Sequence, residues 1–474
     1  MSKVQKRSPI ASTADAVLLG TIFLILLGFV YTWTRKDVLG MTFIFYGACE
    51  LLGVTAYTVA YLVLKESIRI NLALVTVSVG VTILSSEIVL SLVQTDVDDR
   101  VFAARLAGAK FDQRSKFELI DNLKASGVQA VPSITPRLWA EGNAGRVHDG
   151  QLIPLSGLSK RVTVFCNEGG EFATYESDEH GFNNPIGLYQ KGKVDVVLIG
   201  DSFAHGACVK QGEDIASHLR AYDIRALNLG MAGSGPLIEL AILTEYAEPV
   251  APRIVLWMYF EENDQYNLVR EQTFPFFLRY LDRQFKLGLF DQQDKIDTLL
   301  LEPFLAEAQA DVESEEEERR QREGIRGQKW AKILRLYHLR TRLGVNKPAS
   351  PPSTPPPSDL FSKILAEARN RALAWGGRMY FVYIPDYTRY NQTHRDHDSL
   401  FHRAGVLEAV QKLGIPIIDV HEFLSHHPDP LSLYPLRVHG HFNAQGYRLI
   451  ANYLQQSIDE IETRFLVPPA NPTS

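Results

Sequence analysis

Cysteine is scarce in this chain. Its 474 residues hold three, Cys49, Cys166 and Cys208, with no CxxC pair or clustered Cys/His spacing. That argues against a structural zinc framework. A basic surplus is also absent: 49 Lys and Arg stand against 55 Asp and Glu, giving a formal net charge of -6 and a pI near 6.1. Nucleic-acid binding needs a concentrated basic face instead. Mean hydropathy is only -0.08, too low for a polytopic transporter, so any membrane part is local. No internal repeat is evident. The chain is still long enough for more than one domain, because single cores stop growing at roughly 250–300 residues.

What is plentiful is apolar sequence at the front. Ala16–Trp33, Val38–Leu64 and Ile70–Val93 are nearly uncharged runs, each long enough to cross ~30 Å of hydrocarbon at about 1.5 Å per residue. A cleaved signal peptide explains at most the first, so residues 1–94 are expected to form a membrane anchor of three transmembrane helices. Glu50 and Glu87 fall inside the second and third runs. A carboxylate is costly there unless partnered or protonated, and packing within a small bundle is a simpler account than a proton or substrate relay. Lys3, Lys6 and Arg7 precede the first run with no acid among them, which favours a cytoplasmic N-terminus. Three crossings then put everything after Gln94 outside the cytoplasm, in a multi-pass protein of the cell membrane.

Residues 95–150 read as a polar stalk. Beyond them, Val194–Ile199, Arg225–Leu229, Arg253–Tyr259, Arg378–Ile384 and Pro416–Val420 are short β-rich runs separated by helical stretches. That alternation predicts an α/β fold with a five-stranded, doubly wound parallel sheet, built from residues 151–267 and 359–465 and followed by a tail, 466–474. An insertion, 268–358, interrupts it. The insertion carries a charged run (Glu313–Arg322), a basic amphipathic stretch (Lys329–Arg342) and a proline-rich tract (Pro348–Pro357). The proline tract suits an extended linker. The amphipathic stretch suits an ordinary covering helix better than an anionic membrane surface.

Ligands of open parallel sheets bind outside the carboxyl ends of the strands, which makes the strand ends informative. The first run ends in Gly200-Asp201-Ser202-Phe203, a serine at a strand-to-helix turn near a helix N-terminus that favours developing negative charge. The second leads into Asn228–Gly235 (NLGMAGSG), where Gly233 can offer an unobstructed backbone N–H. The third leads to Asn263, and after the fifth comes His441 ahead of a closing helix. In order and spacing these segments resemble the blocks of the SGNH (GDSL-like) hydrolase superfamily, in a membrane-anchored bacterial form. GDSF matches the nucleophile block, NLGMAG the glycine block, END the GxND block (with Glu262 where glycine is usual) and GHFNAQG the histidine block.

The resemblance implies a flavodoxin-like, three-layer α/β/α domain and acyl transfer without metal or organic cofactor. Ser202 would be the nucleophile and His441 the base, with the Ser202 and Gly233 amides and the Asn263 side chain as the oxyanion hole. It also implies an esterase or O-acyltransferase working on ester-linked acyl groups of an envelope or exported polysaccharide. Expected partners are an acylated carbohydrate or other ester, the membrane and other membrane proteins, but not nucleic acid. One departure stands out. The family's aspartate, two or three residues before its histidine, is replaced here by His439 and Val438. Asp386, Asp419 and Glu422 are candidate orienting acids, and a Ser–His dyad is the working expectation. The missing acid also leaves room for a binding or assembly module for acylated glycan that has lost turnover. Cys166 and Cys208 share the expected oxidising side; a disulfide and two free buried thiols are both open, the latter being simpler.

Overall fold

The computed structural model describes residues 8–34, 42–93, 99–142, 152–301, 332–342, 353–391 and 397–466. The charged run Glu313–Arg322, the start of the proline tract and most of the tail lie outside them. The chain divides into two compact units, residues 1–96 with 320–348, and residues 97–319 with 349–474.

The first unit is helical. Pro9–Thr34, Thr42–Val63 and Glu66–Val93 are three helices, long and apolar enough to cross a membrane, with the first packed on both others. Asp15, Glu50 and Glu87 within them each have a partner. Glu50 accepts from Thr32 Oγ1 at 2.9 Å beside Gly28, and Asp15 pairs with Arg69 at 3.4 Å. Glu87 is fully buried and accepts the backbone N–H groups of His338 and Leu339 at 2.9 and 2.7 Å, with His338 Nδ1 2.8 Å away. Of the basic stretch, residues 329–331 lie outside the described ones, and Tyr337–Arg342 is a helix whose first turn is held by a carboxylate of the third apolar helix, as expected for unpaired N-terminal amides.

The second unit holds two sheets. A small one joins β1 (Ala130–Pro132), β2 (Val162–Val164) and β3 (Thr174–Glu176), β1 parallel and β3 antiparallel to β2. The main sheet comprises β4 (Val196–Gly200), β5 (Ala226–Asn228), β6 (Ile254–Phe260), β7 (Arg378–Ile384) and β8 (Ile417–Asp419). All pairs are parallel, in the order β5-β4-β6-β7-β8. The five expected strands are all present, and their alternating side chains feed two cores. Val197, Ile199, Trp257, Tyr259 and Phe381 pack under the helices Pro236–Ile242 and Asp359–Ala374. Val196, Leu198, Met258, Tyr380 and Val382 pack under Ile215–Arg220 and Ala444–Leu466. This is the expected three-layer arrangement.

Two boundaries differ from expectation. Residues 99–142, read as a stalk, supply β1 and bury Val131, Ile134 and Trp139 in the first core. Residues 268–300, read as insertion, bury Phe277, Tyr280, Leu289, Ile296 and Leu300 in the same core. Both segments alternate short turns and short helices, so neither shows an amphipathic period long enough to stand out.

Candidate active site

The strand order reverses at β4: β5 lies on one side of it and β6 on the other. A crevice forms at such a switch point, outside the carboxyl ends of the strands. Ser202 lies two residues past the end of β4, as the first residue of the short helix Ser202–His205, so its N–H has no intrahelical partner. Asp201 caps that helix, accepting from Phe203 N at 2.9 Å. It is fully buried, and burial pushes its carboxyl above the usual range.

Ser202 Oγ lies 2.8 Å from His441 Nε2. The other imidazole nitrogen, Nδ1, is 3.1 Å from Glu168 Oε1, and Glu168 Oε2 accepts the backbone N–H of His441 at 2.7 Å. Arg100 closes the chain, donating one guanidinium nitrogen to Glu168 at 3.0 Å and to the His439 carbonyl at 3.1 Å. Burial acts to raise the Glu168 carboxyl, but the His441 imidazole and the Arg100 guanidinium outweigh it and hold it below the usual range. Serine, imidazole and carboxylate thus form one hydrogen-bonded line, the arrangement that nucleophilic acyl transfer uses.

No family model matches the chain, and no curated protein matches it by sequence. Among solved structures it is similar to an α/β hydrolase enzyme from the metagenome of Lake Arreo, Spain. Identity is 16% and the TM-score 0.29, over 57% of this chain and 97% of that one. So distant a likeness does not bear on the chemistry.

The carboxylate that meets His441 Nδ1 is none of the three expected orienting acids. Asp386 caps the turn Tyr387–Arg389 through Thr388. Asp419 pairs with Arg403 and caps the helix Val420–Ser425, and Glu422 is exposed. Glu168 comes instead from the β2–β3 loop, 273 residues before His441. It replaces the expected dyad with a line of three groups.

Of the remaining candidates, Asn263 reaches the serine turn and Gly233 lies in the turn after β5. Asn263 Nδ2 donates to Asp201 Oδ2 at 3.3 Å, the oxygen that Ser202 Oγ approaches at 3.4 Å. Gly233 sits third in a turn closed by Ser234 N to Met231 O at 3.1 Å, with φ +75°, a conformation that favours glycine. Arg137 Nε donates to the Gly233 carbonyl at 3.1 Å. Beneath this turn lies a second imidazole that sequence reasoning passed over. His205 is fully buried, with Nδ1 accepting Ala232 N–H at 3.3 Å and Nε2 2.8 Å from the Tyr175 hydroxyl. Burial pushes it down to about 3, so it is a neutral strut between the glycine turn and β3.

His439, two residues before His441, faces Asp386 at 3.7 Å and Glu262 at 3.9 Å on the rim. Burial, then the Asp386 charge, raise the Glu262 carboxyl. Cys166 and Cys208 form a disulfide beside the acid, with Cys208 Sγ 4.0 Å from His441 Nδ1. A sulfur so engaged is not available to a metal.

Proposed function

We propose that the chain is a membrane-tethered serine esterase or O-acyltransferase of the SGNH type, acting on ester-linked acyl groups of an envelope or exported polysaccharide. The observation that carries this reading is the hydrogen-bonded line Ser202–His441–Glu168 at the carboxyl end of β4. His441 takes the hydroxyl proton as Ser202 attacks the ester carbonyl, and Glu168 fixes the imidazole tautomer and balances the imidazolium. The oxyanion falls to the Ser202 and Gly233 amides and the Asn263 side chain. His441 then returns its proton to the leaving alkoxide. Water or a carbohydrate hydroxyl resolves the acyl-Ser202, and the choice of acceptor separates hydrolysis from transfer. Membrane tethering and the expected outward orientation motivate the polysaccharide substrate.

Labelling of the full-length, detergent-solubilised protein by a serine-reactive fluorophosphonate is expected, and its loss in Ser202→Ala. Equal labelling of both proteins would sink the nucleophile assignment. A well-folded wild type that takes no label at all would point to a binding module for acylated glycan.

A further inference from the structure

The loop that carries Glu168 is poised between two anchors. The β2–β3 ladder extends to Cys166, with Phe165 N bonded to Ala173 O and Ala173 N to Cys166 O at 2.9 and 2.8 Å. Residues 167–172 then leave the ladder, placing Glu168 two residues beyond its last rung. Glu168 aside, the loop is hydrogen-bonded to Asp112: Asn167 Nδ2 donates to Asp112 O at 2.9 Å, and Asp112 N to Gly170 O at 2.8 Å, while Glu171 pairs with Lys210 at 2.8 Å. The two hydrogen bonds fix the loop to Asp112, and the Glu171–Lys210 pair is solvent-exposed and holds weakly.

The covalent tie toward the serine is the Cys166–Cys208 bridge. Cys208 ends the turn that follows the Ser202–His205 helix, with φ +60°. A non-glycine residue in that left-handed region needs outside restraint. The bridge supplies it, and Cys208 Sγ also touches the imidazole at 4.0 Å. The hairpin has further support in Phe165 and Tyr175, whose rings lie 4.3 and 5.3 Å from that of buried His205. Breaking the bridge would therefore loosen the register of the acid without unfolding the hairpin.

We propose that the Cys166–Cys208 disulfide is the positioning element that delivers Glu168 to His441, so that full turnover belongs to the oxidised chain. The inference rests on the acyl-transfer reading of Ser202, His441 and Glu168. Closing the bridge joins two thiol sulfurs, and the two electrons and two protons pass to a disulfide-type oxidant, which leaves as a dithiol. A reducing dithiol reverses the step and becomes a disulfide itself. Both cysteines are partly buried, and Cys208 lines an open groove of about 410 Å³ with Gly169, Phe172 and Lys210, wide enough for a small dithiol. A chain still in a reducing compartment would hold its nucleophile without its oriented base.

The test uses full-length protein in detergent, all in a Cys49→Ser background. Fluorophosphonate labelling rates are compared for the oxidised protein, for protein reduced with dithiothreitol, and for Cys166→Ala/Cys208→Ala, each with and without Glu168→Gln. Reduction is expected to slow labelling about 10- to 100-fold, as for an ångström-scale misplacement. Glu168→Gln should cost about 10⁴-fold in the oxidised protein and about 10- to 100-fold less than that once the bridge is open, a non-additivity that a purely structural disulfide would not produce. Reduced wild type covers the case in which the double variant does not fold. An unchanged rate after thiol counting confirms reduction, or an equal Glu168→Gln loss in both states, would overturn the proposal while leaving the acyl-transfer reading intact. An oxidised wild type that labels no faster than Ser202→Ala would overturn both.

Discussion

Gly440 is what lets His441 and Glu168 meet. A Cβ at that position would overlap the Glu168 carboxylate, so the close approach of the His441 N–H depends on a missing side chain. Glu168→Gln is expected to lower kcat by roughly 10⁴-fold with little change in KM, the cost of losing tautomer control and charge balance in a serine triad. Stopped-time ester hydrolysis would show it; a loss below tenfold would return the site to a dyad. The same carboxylate has a stability signature. Its pKa is lowered in the folded chain, so its contribution is present at neutral pH, above its unfolded pKa, and is lost as pH falls through its folded one. The thermal midpoint of the wild type should therefore drop more between pH 6 and pH 3.5 than that of Glu168→Gln; parallel curves would contradict the pairing. Ser202 and His441, which the fold brings within 2.8 Å of each other, each sit in a short local motif, one just past β4 and the other just ahead of the closing helix. Glu168 sits in no such motif, and only tertiary geometry selects it. Asp386 and Asp419 misled for a physical reason: a strand end in an α/β fold is also a helix start, where aspartate is a favoured cap.

At the level of elements, every main-sheet strand was readable because a doubly buried parallel strand is a short apolar run with little else to be. The segment 99–142 was not, although Ser115 and Glu118 carry a capping-box signature that the structure realises in both directions, at 3.1 and 2.7 Å. Its three-residue strand is too short to show a period. The two apolar-run carboxylates were better judged by packing than by transport, since each meets a partner within its own unit. Glu87 makes this testable. Glu87→Ala removes the acceptor for the His338 and Leu339 amides, so the helix Tyr337–Arg342 should detach from the third apolar helix. In a Cys49→Ser protein reconstituted in vesicles, a cysteine placed at Leu339 should then react several-fold faster with a membrane-impermeant maleimide. Unaltered reactivity would mean that Glu87 does not hold the element.

For the molecule as a whole, the three apolar helices and the basic N-terminus predict that the second unit faces away from the cytoplasm. A C-terminal alkaline phosphatase fusion should be active and a green fluorescent protein fusion dark. The reverse pair of results would overturn that orientation, and with it the setting in which the disulfide forms.

The order in which the working parts occur along the chain has a practical side. Glu168, Ser202, Gly233 and Asn263 all precede Leu301, whereas His441 comes after Ser353, and the two stretches meet along seven paired positions of β6 and β7. A break between those points would leave nucleophile and acid on one polypeptide and the base on another. On the proposed function, a chain cut there is expected to be silent as pieces and competent only when β7 pairs with β6.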